Sequence, residues 1–270
     1  MKTRLITAAI GIPFLVFVLV VRGWFAEAII VVLTLIALDE VYKALEHKGY
    51  AICRWGGYAA TVLMWPLSRF MGVLDPLLLL VGAMGISMTG VLLGGHPTFP
   101  DAAASLYPLL TCFLPMSMFM MMLNATYGQV PGIALITMAF AIAYSCDAAA
   151  YFGGRALGKH KLCPSISPNK TVEGALFGVL GGVLGARLCR AFFVYIFHMP
   201  MPGIPAALLL GVLGSLAGQI GDLTASLLKR YSGIKDYGKV FPGHGGVMDR
   251  FDSVIFTLIV MYCYTLVLHG

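Results

Sequence analysis

The run SLLKRYSGIKDYGKVFPGHGGVMDRFD, Ser226 to Asp252, is a polar stretch set between two apolar segments, Ile204–Leu228 and Val254–Leu268. It carries Lys229, Arg230, Lys235, Lys239 and Arg250 beside Asp236, Asp249 and Asp252, with glycines at 243, 245 and 246. A charged loop joining two lipid-compatible runs is the pattern of a helical membrane protein. The residue types also suggest a task. Clustered cations neutralise phosphates, carboxylates hold a divalent metal, and glycines let backbone N–H groups approach an anion.

Outward from this loop the same alternation repeats. The 270 residues are 59% hydrophobic and only 11% charged, whereas an ordinary soluble domain has roughly 45–50% apolar and about 25% charged residues. A hydrocarbon core of about 30 Å takes roughly 20 apolar residues per helix. By that ruler the expected spans are Leu5–Val21, Trp24–Leu38, Gly57–Val73, Leu74–Leu93, Leu106–Leu123, Gly132–Phe152, Ala175–Phe197, Ile204–Leu228 and Val254–Leu268. The third and fourth touch at Gly72-Val73. The runs are apolar all round, unlike the alternating strands of a barrel. The expected fold is an all-α polytopic membrane protein of about nine transmembrane helices. It forms a single domain over 1–270, with 1–131 mainly scaffold and 132–270 carrying the catalytic site.

Met1-Lys2-Thr3-Arg4 before an apolar run resembles a signal peptide, and Ala26-Glu27-Ala28 resembles a cleavage site. A second hydrophobic segment follows at once, which favours an uncleaved first helix. Basic residues set the orientation. With nine spans and a cytoplasmic N-terminus, only Arg22 and Arg69 fall outside, and Arg187 and Arg190 lie within the seventh span. Both charged segments, Arg155–Glu173 and Ser226–Asp252, then face the cytoplasm from the inner membrane. The net charge of +6 reflects this topology and attraction to anionic lipid, with no nucleic-acid partner. The six cysteines show no metal-binding spacing.

Two acids lie inside spans. An Asp near the bilayer centre costs about 2.5–3.5 kcal/mol, so such residues usually mark a paired or functional site. Asp147 and Asp222 sit similar distances, about 9–10 Å, below the cytoplasmic ends of their helices. Tyr144, Asp147 and Tyr151 share one helix face, and Gln219, Asp222, Ser226 and Lys229 share another. Asp249 and Asp252 share a face at the start of the last helix. The four carboxylates are expected around a polar cavity; the alternative is that Asp147 or Asp252 pairs only with a nearby cation. Gly174, Gly178, Gly182 and Ala186, with Gly214 and Gly218 in the next helix, form small-residue faces for close packing. Arg187 and Arg190 pair with carboxylates, meet a lipid headgroup, or snorkel outward.

Gly153-Gly-Arg-Ala-Leu-Gly158-Lys159 spells a phosphate-loop pattern, but His160 replaces the required Ser or Thr and a hydrophobic helix precedes it, so that reading is rejected. In Ser167-Pro-Asn-Lys170-Thr-Val-Glu-Gly174, Ser167 at the N-cap and Pro168 at the first helical position suit a helix start. Such an N-terminus carrying Lys170 is a natural phosphate site.

The 226–252 run, position by position, resembles the C-terminal signature of the phosphatidate cytidylyltransferase (CDP-diacylglycerol synthase) family, and 167–174 resembles that family's upstream S-P-x-K-[ST]-x-E-G element. The resemblance implies the reaction CTP + phosphatidic acid → CDP-diacylglycerol + pyrophosphate, in phospholipid biosynthesis in the lipid bilayer. It also implies Mg²⁺: one or two divalent ions, or Mg²⁺ beside a different cation. It carries Asp222 and Asp249 as metal ligands, with Asp252 and Asp147 as further candidates. Asp222, Asp249, Lys229 and Arg250 become the catalytic candidates. Ser226, Arg230, Lys239 and the Gly243, Gly245 and Gly246 backbone join Lys229 and Arg250 around the triphosphate. Ser167 and Lys170 hold the lipid phosphate or the nucleotide. His244 donates to a phosphate or serves the turn, and Lys235 and Asp236 form an exposed pair or take part. A homodimer is compatible with this reading. Two rivals differ in chemistry: a CTP-dependent lipid kinase, which would release CDP, and an ion-coupled transporter using Asp147 and Asp222, which would show repeat symmetry.

Overall fold

The computed structural model describes residues 17–21, 23–70, 76–241, 243 and 245–269. Most of the first expected span, together with Lys2, Arg4, Arg22, the Gly72-Val73 junction, Pro242 and His244, lies outside the described residues. The helices are α1 (Gly23–His47), α2 (Trp55–Phe70), α3 (Pro76–Leu92), α4 (Phe99–Pro108), α5 (Leu114–Asn124), α6 (Gly132–Leu157), α7 (Val172–Ile196), α8 (Ile204–Tyr231) and α9 (Met248–His269). A π-helical turn, Leu109–Phe113, fuses α4 to α5. Among the described residues five helices are long and apolar enough to cross a membrane: Phe99–Asn124, Gly132–Leu157, Val172–Ile196, Ile204–Tyr231 and Met248–Leu268. The protein is therefore an all-α, multi-pass membrane protein.

Several helices outrun their apolar cores, each for a local reason. The second expected span ends at Leu38, where Asp39 and Glu40 begin; α1 continues to His47 because those acids find partners. Asp39 takes Arg54 at 2.7 Å, Arg54 Nε reaches Glu46 at 2.8 Å, and Glu40 accepts backbone amides. Gly49, at φ +104°, follows the helix end in the left-handed region that glycine adopts without strain. The fifth span starts earlier than its hydrophobicity suggests. Thr98 Oγ1 accepts the Asp101 amide at 3.3 Å, Pro100 occupies the first turn, and Pro108, lacking an N–H, precedes the π turn.

By contacts the chain divides into two compact units. One comprises residues 1–121 and 228–251; the other comprises 122–227 and 252–270. In the first, α1, α2, α3 and the α4–π–α5 rod pack together around Tyr42, Met64, Leu109 and Phe113, all essentially inaccessible. In the second, α7 lies along α6 with its small residues inward. Gly174, Gly178, Gly182 and Ala186 are buried, and a Cβ at Gly185 would stand 2.6 Å from the Ala141 carbonyl oxygen. On the opposite side of α7, Leu176, Leu180, Leu184 and Leu188 are exposed. Small residues inside with leucines outside suit a helix whose solvent is lipid. Gly214 and Gly218 of α8 meet Thr257 of α9 in the same manner, where a Cβ would stand 3.1 and 2.9 Å, respectively, from the threonine side chain.

Between α6 and α7 an antiparallel hairpin forms from β3 (Lys161–Cys163) and β4 (Ser167–Thr171); β1 (Thr126–Tyr127) and β2 (Val130–Pro131) form a smaller one. This corrects the expected helix start at Ser167 and Pro168. Ser167 is in strand β4, opposite Cys163, and helix α7 begins four residues after Pro168. Thr171 is the N-cap, its hydroxyl accepting the Gly174 amide at 3.1 Å. Pairing with Lys161–Cys163 satisfies the 167–171 backbone as a strand, and Thr171, followed by Glu173 in the first turn, supplies a capping group. The rejected phosphate-loop pattern, residues 153–159, lies in the last turns and cap of α6.

Candidate functional site

In the second unit, α6, β4, α7 and α8 enclose a cavity of about 440 Å³ whose polar lining includes Asp147, Arg155, Lys170, Gln219 and Asp222. Each position follows from local structure. Asp147 and Tyr151 lie one turn apart on α6, and Gln219 and Asp222 lie three apart on α8, so each pair faces one way. Lys170 arrives from β4. Its Nζ pairs with Asp222 Oδ2, and Ser226 Oγ lies 3.4 Å from Asp222 Oδ1. Asp147 Oδ2 accepts from Ser253 Oγ at 3.1 Å. Gln219 Nε2 donates to the Ala175 carbonyl at 3.1 Å, which holds the amide against α7. In the first turn of α7, the Glu173 carboxylate accepts the Lys159 amide at 3.0 Å and meets His160 Nδ1 at 2.6 Å.

Asp147 and Asp222 both line this cavity, and Lys170, arriving from β4, pairs with Asp222. Asp252 belongs to the same unit, and its Oδ1 accepts the Ser253 amide at 2.8 Å. It is not among the residues lining the cavity. Ser167 is half-buried in β4 and also lies off the lining. Tyr144, expected on the Asp147 stripe, is exposed on α6 away from it.

The first unit holds the signature loop. Asp249 is buried, at 7% exposure, in the first turn of α9. Its Oδ1 accepts Lys229 Nζ at 2.8 Å, while Oδ2 accepts the amides of Tyr237 at 2.8 Å and Gly246 at 2.9 Å. One carboxylate therefore ties three points of the loop together. Gly245, at φ +86°, lies so close that a Cβ would stand 2.7 Å from Asp249 Oδ2. That position needs glycine on both counts. The Gly246 amide, expected to face a polyphosphate, is committed to Asp249 in this state. Arg230, Lys235, Asp236, Lys239, Gly243 and Arg250 are exposed, leaving the loop's outer face strongly cationic. Lys229 Nζ also lies 5.5 Å from the Tyr237 ring centre.

A residue that the sequence reading passed over joins this loop from α1. Glu40 Oε1 accepts the Val247 amide at 3.0 Å and Oε2 the Met248 amide at 2.9 Å. The only signal for it in the sequence is an acid next to the end of an apolar run.

Among the described residues no three His, Cys, Asp or Glu side chains converge closely enough to hold a metal ion. Mg²⁺ is commonly bound by one or two carboxylates, with phosphate oxygens and waters completing its shell. The hard oxygen donors of Asp147 and Asp222 on one cavity fit that requirement.

The fold and cavity define a multi-pass helical membrane protein that sets carboxylates against cations at helix ends, a provision for polyanionic substrates. The family model described as the cytidylyltransferase family matches residues 2–268, and the chain belongs to that family. It is 31% identical over 291 residues to a phosphatidate cytidylyltransferase of Synechocystis, covering 98% of this chain and 96% of that one. It is 35% identical over 266 residues to that of Staphylococcus epidermidis, covering 96% of both. A shorter match to the Bacillus subtilis protein, 44% identical over 131 residues, covers 48% of this chain and 47% of that one.

Proposed function

We propose that this chain transfers the cytidylyl group of CTP to phosphatidic acid, forming CDP-diacylglycerol and releasing pyrophosphate. The observation that carries the reading is the cavity where Lys170 pairs with Asp222 beside Asp147, in a membrane chain of the cytidylyltransferase family. A phosphate oxygen of the lipid attacks the α-phosphorus of CTP. A new P–O bond forms, the bond to the pyrophosphate oxygen breaks, and pyrophosphate leaves with the electron pair. The nucleophile is already an anion, so the protein has little proton transfer to manage. Its work is to bring two polyanions together and hold them in line.

Roles follow residue by residue. Lys170 binds one phosphate group, of the lipid or of the nucleotide, and Ser167, at the start of the same strand, is a further candidate for that role. Lys229, Arg230, Lys239 and Arg250, with the backbone of Gly243 and Gly245, hold the triphosphate and the departing pyrophosphate, while the Gly246 amide serves Asp249. His244, which lies outside the described residues, and Ser226 complete the binding set. In the second unit Asp222, with Asp147 and Asp252, would hold Mg²⁺, and in the first unit Asp249 is the candidate metal ligand. When bound, the ion supplies charge neutralisation of the phosphate oxygens. The asymmetry of basic residues supports nine spans, a cytoplasmic N-terminus, and an active site facing the cytoplasm from the inner membrane.

The test is direct. Purified protein is incubated with phosphatidic acid, labelled CTP and Mg²⁺, and both CDP-lipid and pyrophosphate are expected. Release of CDP with no CDP-lipid would mean phosphoryl transfer to a lipid alcohol and would overturn the proposal.

A further inference from the structure

We infer that Glu40, in the helix Gly23–His47, is a positioning residue for the signature loop, fixing from beneath the turn that presents the loop's cations. The inference rests on the reading that this loop handles phosphate groups. Glu40 is 5% exposed and lies 207 and 208 residues from the two amides it accepts. Those amides, of Val247 and Met248, lie at the start of α9, where the first N–H groups of a helix have no partner within it. An acid from another helix thus caps α9. A carboxylate suits that place, because a helix N-terminus favours negative charge.

The fit is tight on the loop side as well. A Cβ at Gly238 or at Gly246 would fall on the Glu40 carboxylate, so bare backbone passes on either side of it. The next amide, of Gly246, goes to Asp249. Three consecutive amides, 246 to 248, are thereby divided between two buried carboxylates. Asp249 is held by its own loop and by Lys229, whereas Glu40 fastens the loop to a separate helix. The far end of the loop is fastened to the last residue of the same helix and to the turn after it. His47 Nδ1 lies 3.0 Å from the Ser232 carbonyl, Tyr50 meets Tyr231 through their hydroxyls, and Lys48 Nζ lies 4.9 Å from the Tyr231 ring centre. The anchor is itself braced: Asp39, adjacent to Glu40, takes Arg54 at 2.7 Å. With both ends of 231–248 tied to α1, the exposed Lys239 projects from a loop of defined shape and the exposed Arg250 from the first turn of α9.

The experiment compares Glu40→Gln with Glu27→Gln in detergent-solubilised full-length protein. Glu27 is a control on the same helix, 4% exposed, and accepts Trp65 Nε1 at 3.0 Å. Gln at position 40 keeps the shape but faces one backbone N–H with an NH₂ group. A drop in kcat of about tenfold or more is expected, together with faster trypsin cleavage at Lys235 and Lys239. Glu27→Gln should leave kcat and the cleavage pattern unchanged even where it lowers Tm. Gly238→Ala, which presses on the carboxylate without altering any charge, should behave like Glu40→Gln and serves if that variant cannot be purified. Unchanged kcat and cleavage in these variants would overturn the inference, as would equal losses in the Glu40 and Glu27 variants. If the wild-type protein forms no CDP-lipid, the functional reading fails by itself, while loop cleavage still reports on Glu40.

Discussion

Asp222→Asn replaces a carboxylate that Lys170 Nζ contacts and Ser226 Oγ approaches with an uncharged amide. The two charged side chains are 29% and 25% exposed, so water screens the pair only in part. A hydrogen bond to a charged group is worth roughly 1.5–3 kcal/mol; a central value of about 2 kcal/mol corresponds to about 30-fold in kcat/KM. Asp222→Asn should lose at least that much, and more if the carboxylate also holds Mg²⁺. Lys170→Met should lose about 30-fold through its phosphate contact. Because the partners touch, their effects should not multiply, and the double variant should stay well below the product of the two measured single losses, which is ~900-fold where each is about 30-fold. The assay is CDP-lipid formation from labelled CTP in mixed micelles at saturating Mg²⁺, on variants that purify and elute as the wild type does. An Asp222→Asn enzyme keeping more than about a tenth of the wild-type rate would refute its assignment as a metal ligand. A double variant that reaches the full product would show that the contact carries no coupling.

Lys239→Ala, on the exposed outer face of the loop, should raise KM for CTP, whereas Arg250→Ala, adjoining Asp249, should lower kcat with KM little changed. Initial rates against CTP concentration separate these outcomes, and a variant with both constants unchanged removes that residue from the site. Gly245→Ala places a methyl group against Asp249 at a left-handed φ, a conformation costing an L residue about 1–2 kcal/mol. About a tenfold loss of activity is expected, with faster loop proteolysis; wild-type values for both would show that the turn adapts. For topology, cysteines introduced at Lys161 and Lys239 in a cysteine-free background should label only with membrane-permeant reagent or in inverted vesicles. Labelling of either from outside intact cells would exclude the cytoplasmic placement.

How legible each feature is depends on how its physics is written in the chain. Membrane spans are set by length and hydrophobicity, which are local, and the cores of α6, α7 and α8 follow the apolar runs closely. The cavity acids are legible for a related reason: a charge inside a lipid-length run is costly unless it serves a purpose. The start of α7 is not. Ser167-Pro168 satisfies the preferences of a helix N-terminus, yet Lys161–Cys163 pairs with the segment as a strand and Thr171 takes the cap. Local preference is overridden by a hairpin partner that no single window contains.

Glu40 shows the limit most plainly. An acid just beyond an apolar run reads as the point where a helix leaves the membrane, and a solvated side chain would explain it completely. Its partners are backbone amides over 200 residues away, and a backbone amide belongs to nearly every residue, so no pairing of side-chain types in the sequence points to it. The signature loop is recognisable because its own side chains carry the pattern. What holds that loop in shape is an acid on another helix together with the absence of side chains at Gly238 and Gly246. Glycines in such a loop suggest places for an anion to approach. In the folded chain the anion that Gly238 and Gly246 admit is the protein's own carboxylate, so their requirement for glycine is satisfied before any substrate arrives.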